Sequence, residues 1–103
     1  MGLFSNLFAT KEPVQYKELI EKGAVIIDVR TPGEFAAGNI PGSINIPLDQ
    51  IPGETASIRE KYPIIITCCR SGNRSAVAKQ YLNSDACHVI NGGAWNSLMT
   101  QIQ

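Results

Sequence analysis

Residues 63–75 have the sequence PIIITCCRSGNRS, the strongest indication of the fold in this chain. The apolar run IIIT is short and rich in β-branched residues, which predicts a strand buried on both faces. A small, polar loop with one glycine follows it. The segment SAVAKQYL, residues 75–82, then predicts a helix with Ala76, Val77 and Leu82 on its inner face. A strand that leads through a short loop into a helix is typical of α/β folds.

Upstream, a second apolar run has the sequence AVIIDV at residues 24–29, and it predicts another buried strand. Directly after it, Thr31 and Glu34 have the spacing of a capping box, and Pro32 occupies the first helical position. This pattern predicts a very short helix that ends near Gly38.

The other segments continue the alternation of strands and helices. They predict a brief strand at residues 43–46, a helix at 55–61, a last strand at 87–90, a tight turn at 91–93 and a closing helix at 94–102. Near the N-terminus, Val14, Leu19 and Ile20 are expected to line one face of a first helix. The alternation predicts an α/β fold with a mainly parallel central sheet of four to five strands and helices on both faces.

The composition indicates one ordinary globular domain, expected at residues 11–103 after a short apolar tail at residues 1–10. Nine basic and nine acidic side chains give a formal net charge of zero, which argues against nucleic acid and membrane as partners. The tail is too short to span a membrane and lacks the basic start of a secretory signal. The odd number of cysteines, three, excludes a full disulfide framework. We therefore expect a cytoplasmic protein.

The loop after the strand IIIT carries the candidate chemistry, because α/β folds bind ligands at the carboxyl ends of their strands. Cys69 lies at the start of this loop. Gly72 permits a tight turn whose N–H groups point inward, and the positive end of the helix starting near Ser75 points at the same place. Arg70 and Arg74 add positive charge. These groups predict a lowered pKa for Cys69 and a nucleophilic thiolate that handles small anions. The alternative is a buried structural thiol, which is common for cysteine.

Three blocks of the sequence resemble the single-domain rhodanese-like sulfurtransferase family. They are IIDVRTPGEFAAGNIPGSINIP at residues 26–47, CRSGNRS at 69–75 and NGGAW at 91–95, in the order and spacing of that family. The resemblance implies a rhodanese-like three-layer domain. It implies that Cys69 takes a sulfane sulfur from thiosulfate or a persulfide-donating protein and passes it from a persulfide to cyanide or a thiol. It implies no cofactor and no metal.

The expected roles follow from this resemblance. Cys69 is the catalytic nucleophile, and the persulfide-binding loop consists of Arg70, Ser71, Gly72, Asn73, Arg74 and Ser75. Arg70 and Arg74 are expected to attract the anionic donor and to stabilise the leaving sulfite.

Asp28 and Arg30 share one side of a strand end, which predicts a structural ion pair. The alternative places Arg30 at the border of the pocket, where it would help to attract thiosulfate.

The sequence is also compatible with two other functions. Counted from Cys68, the sequence has the spacing Cys-(five residues)-Arg of cysteine-dependent phosphatases and arsenate reductases. Against this hypothesis, Cys68 is expected to point into the core, because neighbours on a strand face opposite ways. The second alternative is a non-enzymatic carrier that holds a persulfide on Cys69 for a dedicated partner.

Overall fold

A computed structural model describes residues 14–103, and it confirms the α/β fold with a parallel central sheet. The expected tail at residues 1–10 and the first three residues of the expected domain lie outside the described residues. The sheet has four strands: β1 (Val25–Asp28), β2 (Ile44–Asn45), β3 (Ile64–Cys69) and β4 (His88–Ala94). Their order in the sheet is β2-β1-β3-β4, and every neighbouring pair is parallel.

Helices cover both faces of this sheet. They are α1 (Tyr16–Glu21), α2 (Pro32–Ala37), α3 (Ile51–Lys61), α4 (Asn73–Leu82) and α5 (Trp95–Ile102), and a 3₁₀-helix at Leu48–Gln50 leads into α3. Residues of α3 and α4 pack into one core cluster, and residues of α1 and α5 pack into a second. The domain therefore has three layers, with β1 and β3 in the centre of the sheet.

Alternation along the strands assigns each side chain to one of these two clusters. Ile65 and Cys69 belong to the cluster with α3 and α4, whereas Ile66 and Cys68 belong to the cluster with α1 and α5. The adjacent cysteines therefore point to opposite faces of the sheet. This confirms that Cys68 turns into the core, where it is 0% exposed.

The predicted capping box at the start of α2 is present. The Thr31 hydroxyl accepts a hydrogen bond from the Glu34 backbone N–H at 3.3 Å, and the Glu34 carboxylate accepts one from the Thr31 backbone N–H at 2.9 Å. The helix ends at Ala37, with Gly38 as its C-cap, as the sequence predicts. This short helix places Glu34 at the carboxyl end of the sheet, beside the loop that follows β3.

The expected turn at residues 91–93 is wrong, because these residues are part of β4. Thr67 pairs with Asn91 and Cys69 pairs with Ala94, so β4 contains one extra residue over this stretch, which is a β-bulge. Gly92 permits close packing in this strand, and Gly93 has φ +81°, a left-handed conformation that favours glycine. A Cβ at Gly92 would lie 2.8 Å from the side chain of Ile66.

Two predictions of inward-facing residues are also wrong. Val77 is 40% exposed, because α4 begins at Asn73 and buries Ser75, Ala78 and Leu82 along a single face. Val14 is 44% exposed and precedes α1, although Leu19 and Ile20 pack against the core as expected.

Candidate functional site

The carboxyl end of β3 places the Cys69 sulfur inside the turn of the following loop. The Gly72 backbone N–H donates a hydrogen bond to Cys69 Sγ at 3.0 Å. The Ser75 hydroxyl lies 3.4 Å from the same sulfur, and both side chains are fully buried. Gly72 has φ +99°, a left-handed conformation that turns its N–H toward the sulfur and that other residues rarely adopt.

The two adjacent cysteines have different acidities. Burial raises the pKa of Cys69, but hydrogen bonds from the Ser75 hydroxyl and from the backbone amides of Ser75, Gly72 and Ser71 outweigh it, so the net pKa is lowered. Burial, together with the negative charge of Asp28, raises the pKa of Cys68 to about 12. Cys69 is therefore the sulfur that ionises more readily, and Cys68 stays a neutral thiol at physiological pH.

The predicted loop residues differ in their exposure. Arg70, Ser71 and Asn73 are exposed, Gly72 and Arg74 are half-buried, and Ser75 is buried. Ser75 belongs to the first turn of α4, which begins two residues before the expected start. The structure therefore brings Gly72 and Ser75 to the Cys69 sulfur, whereas Arg70 and Asn73 extend outward.

Arg74 is already paired with a carboxylate. Its guanidinium donates two hydrogen bonds to Glu34, at 2.8 Å and 3.0 Å. These bonds to Arg74, and those from Thr31, lower the pKa of Glu34 to about 2. Within residues 14–103, Arg70 forms no salt bridge. Of the two loop arginines expected to attract an anion, Arg70 is thus the one with an unmatched charge.

Arg30 has a structural partner and also lies beside a cleft. It forms the predicted ion pair with Asp28, at 2.7 Å, and both side chains are buried. Its guanidinium also donates to the backbone carbonyl of Gly38 at 2.7 Å and lies over the Trp95 ring, 4.5 Å from the centroid. Arg30, Arg70 and Trp95 line an open cleft of about 390 Å³ at this end of the sheet. Arg30 therefore anchors the strand end and borders a cleft.

Asn91 is a site residue that the sequence analysis missed. Its side chain accepts a hydrogen bond from the Ser75 hydroxyl at 2.7 Å and donates one to the Gly72 carbonyl at 3.0 Å. Asn91 was not predicted to lie in the site because residues 91–93 were expected to form a turn and not part of the strand beside β3. A polar side chain near the carboxyl end of the strand next to β3 was the signal that would have found it.

Comparisons with known proteins identify the family. The family model described as the rhodanese-like domain matches residues 12–96 of the sequence. The chain belongs to this family. A crystal structure of a rhodanese-related protein from Thermoplasma volcanium is 31% identical and superposes with a TM-score of 0.66, over 84% of each chain.

Two curated proteins are similar in sequence to this chain. The thiosulfate sulfurtransferase GlpE of Pseudomonas aeruginosa is 28% identical over 98 residues, which cover 91% of this chain and 89% of GlpE. The uncharacterized protein YqhL of Bacillus subtilis is 41% identical over 67 residues, which cover 65% of this chain and 52% of YqhL. In the part of this rhodanese-like chain that the structure describes, no helix is long and apolar enough to cross a bilayer.

Proposed function

We propose that this protein is a sulfurtransferase that moves a sulfane sulfur from thiosulfate or another persulfide donor to a thiophilic acceptor through a persulfide on Cys69. The observation that carries this proposal is the position of Cys69 Sγ, which accepts the Gly72 N–H at 3.0 Å at the positive end of α4. Such a position stabilises a negative charge on sulfur. The name of GlpE, thiosulfate sulfurtransferase, supports the same chemistry.

In the first half-reaction, the Cys69 thiolate attacks the outer sulfur of thiosulfate. A Cys69–S bond forms, the sulfur–sulfur bond of thiosulfate breaks, and sulfite leaves with the bonding electron pair. In the second half-reaction, cyanide or a thiolate attacks the terminal sulfur of the persulfide. The bond to Cys69 breaks, and the Cys69 thiolate is regenerated together with thiocyanate or a new persulfide. No net oxidation occurs, and no general base takes part in either attack, because the attacking groups are the Cys69 thiolate and then cyanide or a thiolate.

The arginines have separate roles in this proposal. Arg70, exposed and free of a carboxylate partner within the described chain, attracts the anionic donor. Arg74 keeps α2 and α4 together through its two bonds to Glu34, and its own contribution to anion binding is correspondingly small. Cys69 is 0% exposed, so the side chains that cover its sulfur must move before a donor can reach it.

The phosphatase hypothesis requires Cys68 as the nucleophile, and its surroundings argue against this role. The Cys68 side chain packs with Ile66 and Leu98 on the opposite face of the sheet from the loop. Its pKa of about 12 keeps it neutral at physiological pH.

The three cysteines are free thiols, which fits the reducing cytoplasm as the place of the reaction.

Mass spectrometry after incubation with thiosulfate tests the proposal. We expect one added sulfur atom on the peptide that contains Cys69, and its loss when cyanide or a thiol is added. Cys69→Ser should abolish the adduct, and Cys68→Ser is the matched control that should retain it. An unmodified wild-type protein would contradict the proposal. Added sulfur on Cys68 would identify Cys68 as the nucleophile in place of Cys69.

Steady-state turnover of thiosulfate and cyanide separates an enzyme from a carrier. We expect repeated turnover, with thiocyanate formed in large excess over protein. A stable adduct on Cys69 that forms once and is not turned over would instead indicate a carrier that passes its sulfur to a partner protein.

A further inference from the structure

The orientation of the Asn91 amide is determined by the backbone around it. The Gly93 N–H can only donate, and it lies 3.0 Å from Oδ1 of Asn91. The Gly72 carbonyl can only accept, and it lies 3.0 Å from Nδ2. Because each contact permits one assignment of the amide, Oδ1 is the atom that faces the Ser75 hydroxyl. That oxygen is an acceptor only.

The Ser75 hydroxyl has one proton and two neighbours that compete for it. Its oxygen lies 2.7 Å from Oδ1 of Asn91 and 3.4 Å from Sγ of Cys69. The shorter contact, to an atom that cannot donate, takes the proton. The hydroxyl then presents only lone pairs to Cys69, which suits a neutral S–H group. Ser75 is 0% exposed, so solvent water does not reach it to supply a second donor.

We propose that Asn91 is a positioning residue that holds the Ser75 proton away from Cys69 and so raises the pH at which Cys69 becomes a reactive thiolate. When the sulfur becomes negative, the Ser75 hydroxyl turns its proton from Oδ1 of Asn91 to Sγ of Cys69. Asn91 keeps its bonds to Gly72 and Gly93 in both states. This inference rests on the proposed role of Cys69 as the nucleophile.

The charged and titratable groups around Cys69 are unchanged by a substitution at Asn91. They are Arg74 on α4 with its partner Glu34 on α2, Arg70 in the loop, Cys68 on β3, and the pair Asp28 and Arg30 at the carboxyl end of β1. On β4, which carries Asn91, the titratable side chain is His88, exposed at the distant start of the strand. A shift caused by Asn91 would therefore report on the Ser75 proton and on the loop geometry.

The test measures the rate of Cys69 alkylation by iodoacetamide against pH, with the modified residue identified by peptide mass spectrometry. Asn91→Ala releases the Ser75 proton, and we expect the midpoint of the profile to fall by about 0.5 to 1 pH unit. Below the midpoint, alkylation should accelerate roughly three- to tenfold. Asn91→Leu, which is close to asparagine in volume, should give the same shift if the alanine variant does not fold.

Two further variants separate this mechanism from a structural effect. In a Ser75→Ala background, Asn91→Ala should leave the midpoint unchanged, because no hydroxyl proton remains to be released. Asn83→Ala is the matched control: Asn83 and Asn91 line one surface cavity, but the Asn83 side chain accepts a hydrogen bond from the Val89 backbone N–H at 3.0 Å, away from the loop. It should not shift the midpoint.

An unchanged or higher midpoint in Asn91→Ala would overturn the proposal, and so would an equal shift in the Ser75→Ala background. Alkylation does not require sulfur transfer. A protein that takes no sulfur from thiosulfate but shows the expected shifts would therefore contradict the proposed function and leave the role of Asn91 intact.

Discussion

Replacement of Gly72 by alanine tests the link between backbone conformation and the chemistry of Cys69. Gly72 has φ +99° and ψ −10°, and its N–H donates to Cys69 Sγ at 3.0 Å. A residue with a Cβ loses about 1–2 kcal/mol in this left-handed conformation. The added Cβ would also lie 3.4 Å from Cα of Gly93, so little room exists for the loop to adjust.

Gly72→Ala can respond in two ways, and each has a measurable cost. If residue 72 keeps its positive φ, the free energy of unfolding should fall by about 1–2 kcal/mol and the pKa of Cys69 should stay as it is. If the peptide rotates, the sulfur loses its N–H donor. A hydrogen bond to a charged group contributes about 1.5–3 kcal/mol, so the pKa of Cys69 should then rise by about 1–2 units.

Urea unfolding and the pH profile of Cys69 alkylation together measure both costs. Gly53→Ala is the matched control: Gly53 lies in α3, and a Cβ there meets nothing within 4 Å. This control should gain about 0.5–1 kcal/mol of stability, since alanine is the better helix former, and leave the alkylation profile unchanged. If Gly72→Ala altered neither the unfolding free energy nor the profile, residue 72 would need neither its positive φ nor its N–H bond to Cys69.

Three further substitutions have expected outcomes. Arg70→Ala should raise the KM for thiosulfate roughly two- to fivefold, less at high salt, and Arg70→Lys should restore it; an unchanged KM would remove Arg70 from donor binding. The pKa of Glu34, about 2 against an ordinary 4.5, means that its pairing with Arg74 stabilises the fold above about pH 4.5 and is lost as the pH falls toward 2. Glu34→Gln should therefore weaken the dependence of urea stability on pH in this acid range, and an unaltered dependence would contradict the ion pair. Gly92→Ala places a methyl group within 2.8–3.0 Å of neighbouring atoms and should cost about 1–3 kcal/mol of unfolding free energy, while Gly53→Ala does not.

Local sequence patterns predicted those parts of the fold whose physical causes are also local. The capping box of Thr31 and Glu34 spans three residues, and its hydrogen bonds form as expected. The apolar run of β3 and the alternation of its side chains placed Cys68 and Cys69 on opposite faces. The wrong predictions concern the residue at which α4 begins and the length of β4. The helix α4 begins two residues before its predicted start, and Val77 lies on its exposed side. The glycines after Asn91 belong to strand β4 and do not form the predicted turn.

The α/β class, the candidate nucleophile and the loop that surrounds it could be predicted from the sequence alone, because strand periodicity, helix capping and a glycine with positive φ act between near neighbours in the chain. The side chains that this loop contacts became known from the folded structure. Arg74 meets Glu34 across 40 positions, and Ser75 meets Asn91 across 16. These contacts depend on the parallel alignment of β1, β3 and β4, which brings the carboxyl ends of the strands to one edge. No local pattern encodes which side chains meet there, because the register between strands is set by packing of the whole core.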